Sequence, residues 1–335
     1  MSKPTIQDIA SLAGVGTATV ERVLNARGGV RPQTVEKVLA AARALRYPRQ
    51  LPDQHRGLLQ VEVMLVRPET TFFARLASAF GQVAATLDPS ISVHRTFVPE
   101  DDPAAIAARL AKPELRRAGL ILSVPDHPSI RAALVQVQAA GLPVVQVVTR
   151  ATGVTADVVG IDNRAAGRMA GLLMSQMQRA SGTVVALCHS PIYAVHRDRV
   201  GGFSDYLRDH PRLDLSFAQV LFGRDEAQRS GDLLLEALRR WPDLVGLYNA
   251  GGANASLSAV LRSHPRGREV FFVGHELTER SAEALRDGIM SVVLDQDPEA
   301  QARRAMDLIL ARLGFVEGEV ANPPIRFITL TAENI

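Results

Sequence analysis

A single cysteine in 335 residues excludes an internal disulfide, and Cys188 alone cannot build the Cys/His cluster of a structural zinc site. No apolar run approaches the ~18 residues of a membrane span. The first twelve residues carry Lys3, Gln7 and Asp8 where a signal peptide needs an apolar stretch, so a cytoplasmic chain without membrane contact is expected. The Gly251-Gly252 pair lacks the Gly-Lys-Ser/Thr of a phosphate loop, no Gly-x-Ser-x-Gly elbow occurs, and His189, His196 and His275 have no metal-ligand spacing among them. Each histidine reads as a satisfied core or cleft group, and no enzymatic activity, metal or cofactor is expected.

What is present is an ordinary globular composition, 47% apolar and 22% charged, which excludes disorder and leaves room for two or three domains. The net charge of +3 becomes informative once split. Residues 1–60 hold nine Lys/Arg against four acids, a net of +5, and the remaining 29 basic and 31 acidic residues net −2. A polyanion partner for the N-terminus alone fits this asymmetry, with a solvated basic face as the alternative.

Periodicity predicts three short helices in the first 47 residues. Thr5 offers a capping hydroxyl with Asp8 three residues on, and Ile9, Leu12 and Ala13 line one face of a helix over 6–13. Gly14 ends it, and a second helix from Thr17 to Leu24 buries Val20, Val23 and Leu24. Pro32 opens a third, carried by Val35, Val38, Leu39, Ala42 and Leu45 until Pro48. A polar linker then runs over 49–60. Beyond it, ten short β-branched runs from Val61–Val66 to Ser291–Leu294 alternate with helical stretches such as 164–178 and 298–313, and a last strand is expected over 326–330. The fold class predicted is a small all-α helix-turn-helix domain (1–48) followed by α/β, with two doubly wound parallel-sheet lobes over 61–335.

The run from Thr5 to Asn25, with its Thr17-Ala18-Thr19-Val20-Glu21-Arg22-Val23 core, and the stretch Val30–Val38 closely resemble the DNA-binding headpiece of the lactose repressor family. Val159-Gly160-Ile161-Asp162-Asn163, Arg199-Val200-Gly201-Gly202-Phe203, Val273–Glu276 and Asp295-Gln296-Asp297 resemble landmarks of that family's core, which is similar to periplasmic sugar-binding proteins. The resemblance spans essentially the whole chain. It implies lobe 1 at about 61–161 and 297–324 and lobe 2 at about 162–296 and 325–335.

In a helix-turn-helix the second helix enters the major groove, and its N-terminal residues meet base edges. Thr17, Ala18 and Arg22 lie on that side, and Arg22 can donate two hydrogen bonds to a guanine. Thr5, Thr19, Asn25 and Thr34 are read as phosphate contacts or caps. Where relatives carry serine, this chain has Gly16, Glu21 and Arg31. Glu21 sets a carboxylate near the phosphates or accepts from a cytosine amine, so the operator preference is expected to differ from the family's common one. Pro48, Pro52 and Gly57 interrupt the segment where relatives insert a leucine wedge into the minor groove, which weakens that role for Leu51.

For the core, the resemblance implies a small carbohydrate or polyol effector between the lobes. Phe72 and Phe73 would stack on a sugar face, or open a helix as core residues. Asp126 follows a strand as a ligand contact or a helix cap. Arg199 and Glu276, the latter where relatives have aspartate, would form a donor fork opposite an acceptor, or a structural salt bridge. Gln296 lies at the crossover between lobes, and Asn249 sits one place from the family's asparagine. These features imply a transcription regulator, a repressor acting as a homodimer on double-stranded operator DNA. A transport-type sugar binder and a DNA-binding protein with a sugar-modifying core are the alternatives, the first opposed by the basic headpiece and the second by the missing phosphate loop.

Overall fold

The computed structural model describes residues 4–25, 30, 32–45, 47, 59–190, 193–316 and 318–335, with the backbone alone at 32, 33, 36 and 43. Two compact units result, residues 1–59 and 60–335.

The first unit holds α1 (Ile6–Ala13), α2 (Thr17–Leu24) and α3 (Pro32–Ala44). Thr5 Oγ1 accepts from the Asp8 amide at 3.3 Å and Asp8 accepts from the Thr5 amide at 2.7 Å, so the first turn of α1 leaves neither donor orphaned. Gly14 closes α1 at φ 67°, a left-handed conformation in which a Cβ is strained. Gly16 then opens α2 without a side-chain cap. Ile9, Val20, Leu24, Val38, Leu39 and Ala42 meet in one small core. Leu12 departs from the expected face and is 57% exposed. The inward stripe of α1 is Ile6, Ile9, Ala10 and Ala13, spaced i, i+3, i+4, i+7, which leaves Leu12 on the flank. Leu51 lies outside the described residues.

The second unit carries strands β1 (Leu59–Val66), β2 (Ile91–Val98), β3 (Gly119–Ser123), β4 (Val144–Val147), β5 (Asp157–Val159), β6 (Gly182–Cys188), β7 (Leu215–Phe222), β8 (Leu244–Asn249), β9 (Phe271–His275), β10 (Val292–Asp295) and β11 (Ile328–Leu330). Its helices are α4 (Thr71–Ala84), α5 (Pro103–Ala111), α6 (Pro128–Ala139), α7 (Asn163–Met177), α8 (Ala194–Asp209), α9 (Ala227–Arg240), α10 (Asn254–Ser263), α11 (Glu279–Arg286) and α12 (Pro298–Arg312). One sheet runs in the order β2-β1-β3-β4-β5, the other β11-β10-β9-β8-β6-β7.

Strand alternation sorts the cores. Val63, Leu65 and Ile121 face α4 and α12, while Met64, Leu120 and Leu122 face α5 and α6. In the second sheet Val184, Ala186 and Tyr248 meet α7 and α8, and Val185, Leu247 and Phe272 meet α9, α10 and α11. Two details correct the sequence reading. β11 joins β10 antiparallel, so that sheet is mixed. Ile325 bridges Ile161, its amide bonded to the Gly160 carbonyl at 2.9 Å, so the chain returns to lobe 2 only after Ile325.

Helices α7 and α8 approach closely because glycines leave room. A Cβ at Gly167 would collide with the Arg199 carbonyl oxygen, and one at Gly202 with the Arg164 carbonyl oxygen. Gly202→Ala is therefore expected to part the helices and destabilise the unit by about 1–3 kcal/mol. Gly201→Ala, whose added methyl meets only the Arg164 guanidinium at 3.6 Å, should change little. Chemical denaturation midpoints check the pair, and equal midpoints would contradict the close-packing account.

Candidate functional site

On α2, Thr17, Ala18 and Arg22 are exposed and Thr19 is half-buried, while Val20 and Val23 turn into the core. Short length and the glycine turn leave this helix face open along its first turns. Thr5 is engaged in the α1 cap. Asn25 Nδ2 donates to the Glu21 carbonyl at 2.8 Å, which finishes α2. Thr34 is half-buried in the first turn of α3, and Glu21 is exposed.

In the second unit, strand order reverses between β1 and β3 in one sheet and between β6 and β8 in the other. Doubly wound sheets open a crevice outside the carboxyl ends of strands at such points. A cavity of about 480 Å³ occupies that place. Arg67 follows β1, Ser123 ends β3, Val148 follows β4, Asp225 follows β7, Gly251–Asn254 follow β8, Glu276 follows β9 and Gln296 follows β10. Phe72 and Phe73 enter from the first turn of α4, and His196 and Arg199 from the first two turns of α8.

Backbone strain gathers here. Arg67, Val148, Arg224, Asp225, Ala253 and Glu276 line the cavity at φ between 52° and 71°, a region that non-glycine residues and above all a β-branched valine avoid. Such conformations persist only where the surroundings over-determine them, and they cluster at ligand-binding and active sites.

Five of the seven expected cleft residues line the cavity: Phe72, Phe73, Arg199, Glu276 and Gln296. The two rings pack edge to face with centroids 5.3 Å apart and also touch the core, as the alternative reading expected, while still lining the cavity. Asp126 is a correction. Its carboxylate accepts from the Thr152 amide at 3.1 Å and hydroxyl at 2.5 Å and faces Arg131 at 3.5 Å, which ties loops together away from the cavity. The residue capping α6 is His127. Asn249 is a second correction, fully buried and bonded to the Gly252 carbonyl and to Asn254 Oδ1 at 2.7 Å. It shapes the turn, and Asn254 is the asparagine that lines the cavity.

Arg199 and Glu276 both line the cavity, and the alternative of a direct salt bridge between them is not formed. Arg199, 4% exposed, donates to Asn163 Oδ1 at 2.8 Å and to the Ala250 carbonyl at 2.9 Å. Glu276 accepts from the Gln296 amide through Oε1, and its Oε2 is buried without a partner. Burial, reinforced by the nearby Asp295 charge, pushes the Glu276 carboxyl up to about 7 against the pull of Arg199. Burial first and Arg199 second bring His196 down to about 3, so it stays neutral.

Missed from the sequence were the groups that join the lobes. Arg67 of lobe 1 faces Asp225 of lobe 2 at 3.0 Å and Glu100 at 3.4 Å, and the Tyr193 hydroxyl donates to Glu100. Arg75 on α4 reaches Asp295 at 2.6 Å, Glu299 at 2.7 Å and the Leu277 carbonyl at 3.2 Å. For Arg67, Glu100 and Asp225 the signal was a position just beyond a strand end, and Arg75, within α4, carried none. Among the described residues no group of three or more His, Cys, Asp or Glu is placed to hold a metal ion, and no helix is long and apolar enough to cross a membrane.

Residues 98–316 match the family described as periplasmic binding protein domain, and residues 5–50 match bacterial regulatory proteins, lacI family. The chain is 53% identical over 45 residues to the sucrose operon repressor of Pediococcus pentosaceus, covering 13% of this chain and 14% of that protein. It is 40% identical over 77 residues to the HTH-type transcriptional regulator MalR of Streptomyces coelicolor, covering 23% and 22%. These matches thus span less than a quarter of the curated relatives' length. Among solved structures, a periplasmic solute binding protein of an ABC transporter from Actinobacillus succinogenes with bound D-allose superposes with a TM-score of 0.73, at 17% identity over 82% of this chain and 98% of that one.

Because folding lifts the Glu276 pKa from 4.5 to about 7, the folded state binds the extra proton between those values, and stability falls as pH rises through that window. Glu276→Gln keeps the acceptor for Gln296 and removes the titration. Its unfolding free energy should exceed that of the parent by roughly 1–3 kcal/mol at pH 8 and converge with it near pH 4.5. Denaturation curves across that range check this, and a pH-independent difference would remove Glu276 as the titrating group.

Proposed function

This chain belongs to the periplasmic binding protein domain family through residues 98–316 and carries a lacI-family regulatory domain at residues 5–50, and from that premise we propose a DNA-binding transcription regulator. It is read as a repressor whose operator affinity is set by a small sugar-like effector in the inter-lobe cavity. The observation that carries the reading is the pairing of an exposed α2 face, with Thr17, Ala18 and Arg22 outward on a capped three-helix core, with a cavity in the second unit lined by aromatic rings and a few buried polar groups. The basic excess of the first 60 residues supports a phosphate backbone as partner.

A sugar-like ligand is supported by the aromatic pair beside buried polar groups and by the D-allose held in the solved relative of this fold. One recognition helix reads only a few base pairs, so affinity in the specific range calls for two half-sites and a homodimer. We place the protein in the cytoplasm with DNA and act it without catalysis, as a binding switch. The resemblance of the core to transport-type binders favours a second reading, a solute carrier, for which the basic headpiece has no use.

Selection of bound DNA from a random pool tests the proposal. An enriched, near-palindromic sequence is expected. On it Arg22→Ala should cost roughly 1–3 kcal/mol and relax selection at one position per half-site, with a smaller loss on scrambled DNA. Equal losses on both would reduce Arg22 to a phosphate contact, and no enrichment would leave the carrier reading standing.

A further inference from the structure

The charged groups in and beside the cavity are unequally supplied with partners. Asp225 has Arg67 at 3.0 Å and the Gly252 amide at 2.8 Å. Asp295 has Arg75 at 2.6 Å and the Leu277 amide at 2.7 Å. Arg199 differs. Its two partners, Asn163 Oδ1 and the Ala250 carbonyl, are neutral, and among the described residues no carboxylate lies within ion-pair distance of its guanidinium. The carboxylates that act on it from farther away are Glu276 and Asp225. Asp225 is already engaged, and Glu276, its carboxyl pushed up to about 7 by burial, is only partly ionised at neutral pH. His196, beside Arg199, carries no charge of its own near neutral pH. The deep cavity therefore contains one buried cation without a direct counter-ion.

A charge kept out of water without a partner is costly, and the cost is recovered when a ligand supplies the opposite charge. Around the same space Ser123 Oγ, His196 Nδ1 and Glu276 Oε2 are buried without hydrogen-bond partners. They are donors and acceptors suited to hydroxyls, and Phe72 offers a ring edge or face to C–H surface. We propose that the effector is a sugar acid, a polyhydroxylated ring or chain with one carboxylate that pairs with Arg199 while its hydroxyls satisfy Ser123, His196 and Glu276. This rests on the reading of the core as an effector-binding unit. A carboxylate fits better than a phosphate because a single guanidinium is to be neutralised, and guanidinium and carboxylate match two bonds to two.

The test is calorimetric titration of the full chain with matched probes: glucose against glucuronate and gluconate, galactose against galacturonate, and glucose 6-phosphate. At least one acid is expected to bind about 10–100-fold more tightly than its neutral counterpart, the span of a charge-assisted bond to a buried partner. Arg199→Gln should bring that acid and its neutral counterpart within about threefold, and Arg199→Lys should keep part of the preference. The parent preference is read without any variant, so a misfolded Arg199 variant does not remove the test. A neutral sugar binding as tightly as its acid, or the phosphate binding best, would overturn the sugar-acid assignment and leave the effector reading intact. No binding by any probe to folded protein would count against both.

Discussion

Holding the Arg199 guanidinium out of water between α7 and the turn after β8 costs more than two neutral acceptors return, and the second unit is arranged around that constraint. The glycines of α7 and α8 let the helices approach so closely that Asn163, at the start of α7, can accept from Arg199. The same approach directs the side chain at the Ala250 carbonyl, where β8 has just ended. Packing thus fixes where the charge sits. The cavity then grows from the ends of the strands around it.

Those strand ends carry the strain. Arg67 and Asp225, both in left-handed conformations, meet across the crevice at 3.0 Å, and Glu276 takes the same conformation at the end of β9. Arg67 with Asp225 and Arg75 with Leu277 and Asp295 span the lobes through charge and hydrogen bonds. Polar bridges of this kind are exchangeable with water at modest net cost, unlike a core. A ligand with different affinity for closed and open arrangements can therefore shift their balance.

Much of the fold was legible in the sequence. The capping pair Thr5 and Asp8, the turn glycine and the i, i+3, i+4 spacing place α1 and α2 at their observed ends, and β-branched runs mark the strands within one or two residues. Alternation of strand and helix sufficed for two lobes because a parallel sheet requires crossovers. Side-chain destinations at strand ends were less legible. Asp126 and Asn249 both stand at the right end of a strand, yet Asp126 bonds to the loop after β4 and Asn249 to its own turn, and whether such a residue faces ligand or loop depends on one or two backbone angles that no periodicity encodes. Arg67, Glu100 and Asp225 escaped for the same reason: their pairing crosses 158 residues between Arg67 and Asp225. Leu12 shows the limit of helical spacing, since a hydrophobic residue on the flank of a short helix need not be inside.

On the proposed function, occupancy of the cavity and affinity for DNA are one linked equilibrium. By linkage the factor by which a cavity ligand changes DNA affinity must equal the factor by which DNA changes affinity for that ligand. The direct measurement is a pair of titrations on the full chain, DNA binding with and without a saturating cavity ligand, and ligand binding with and without saturating selected DNA. The account predicts the same factor in both, of the order of 5–150. A ligand shown to occupy the cavity that leaves DNA affinity unchanged would contradict it.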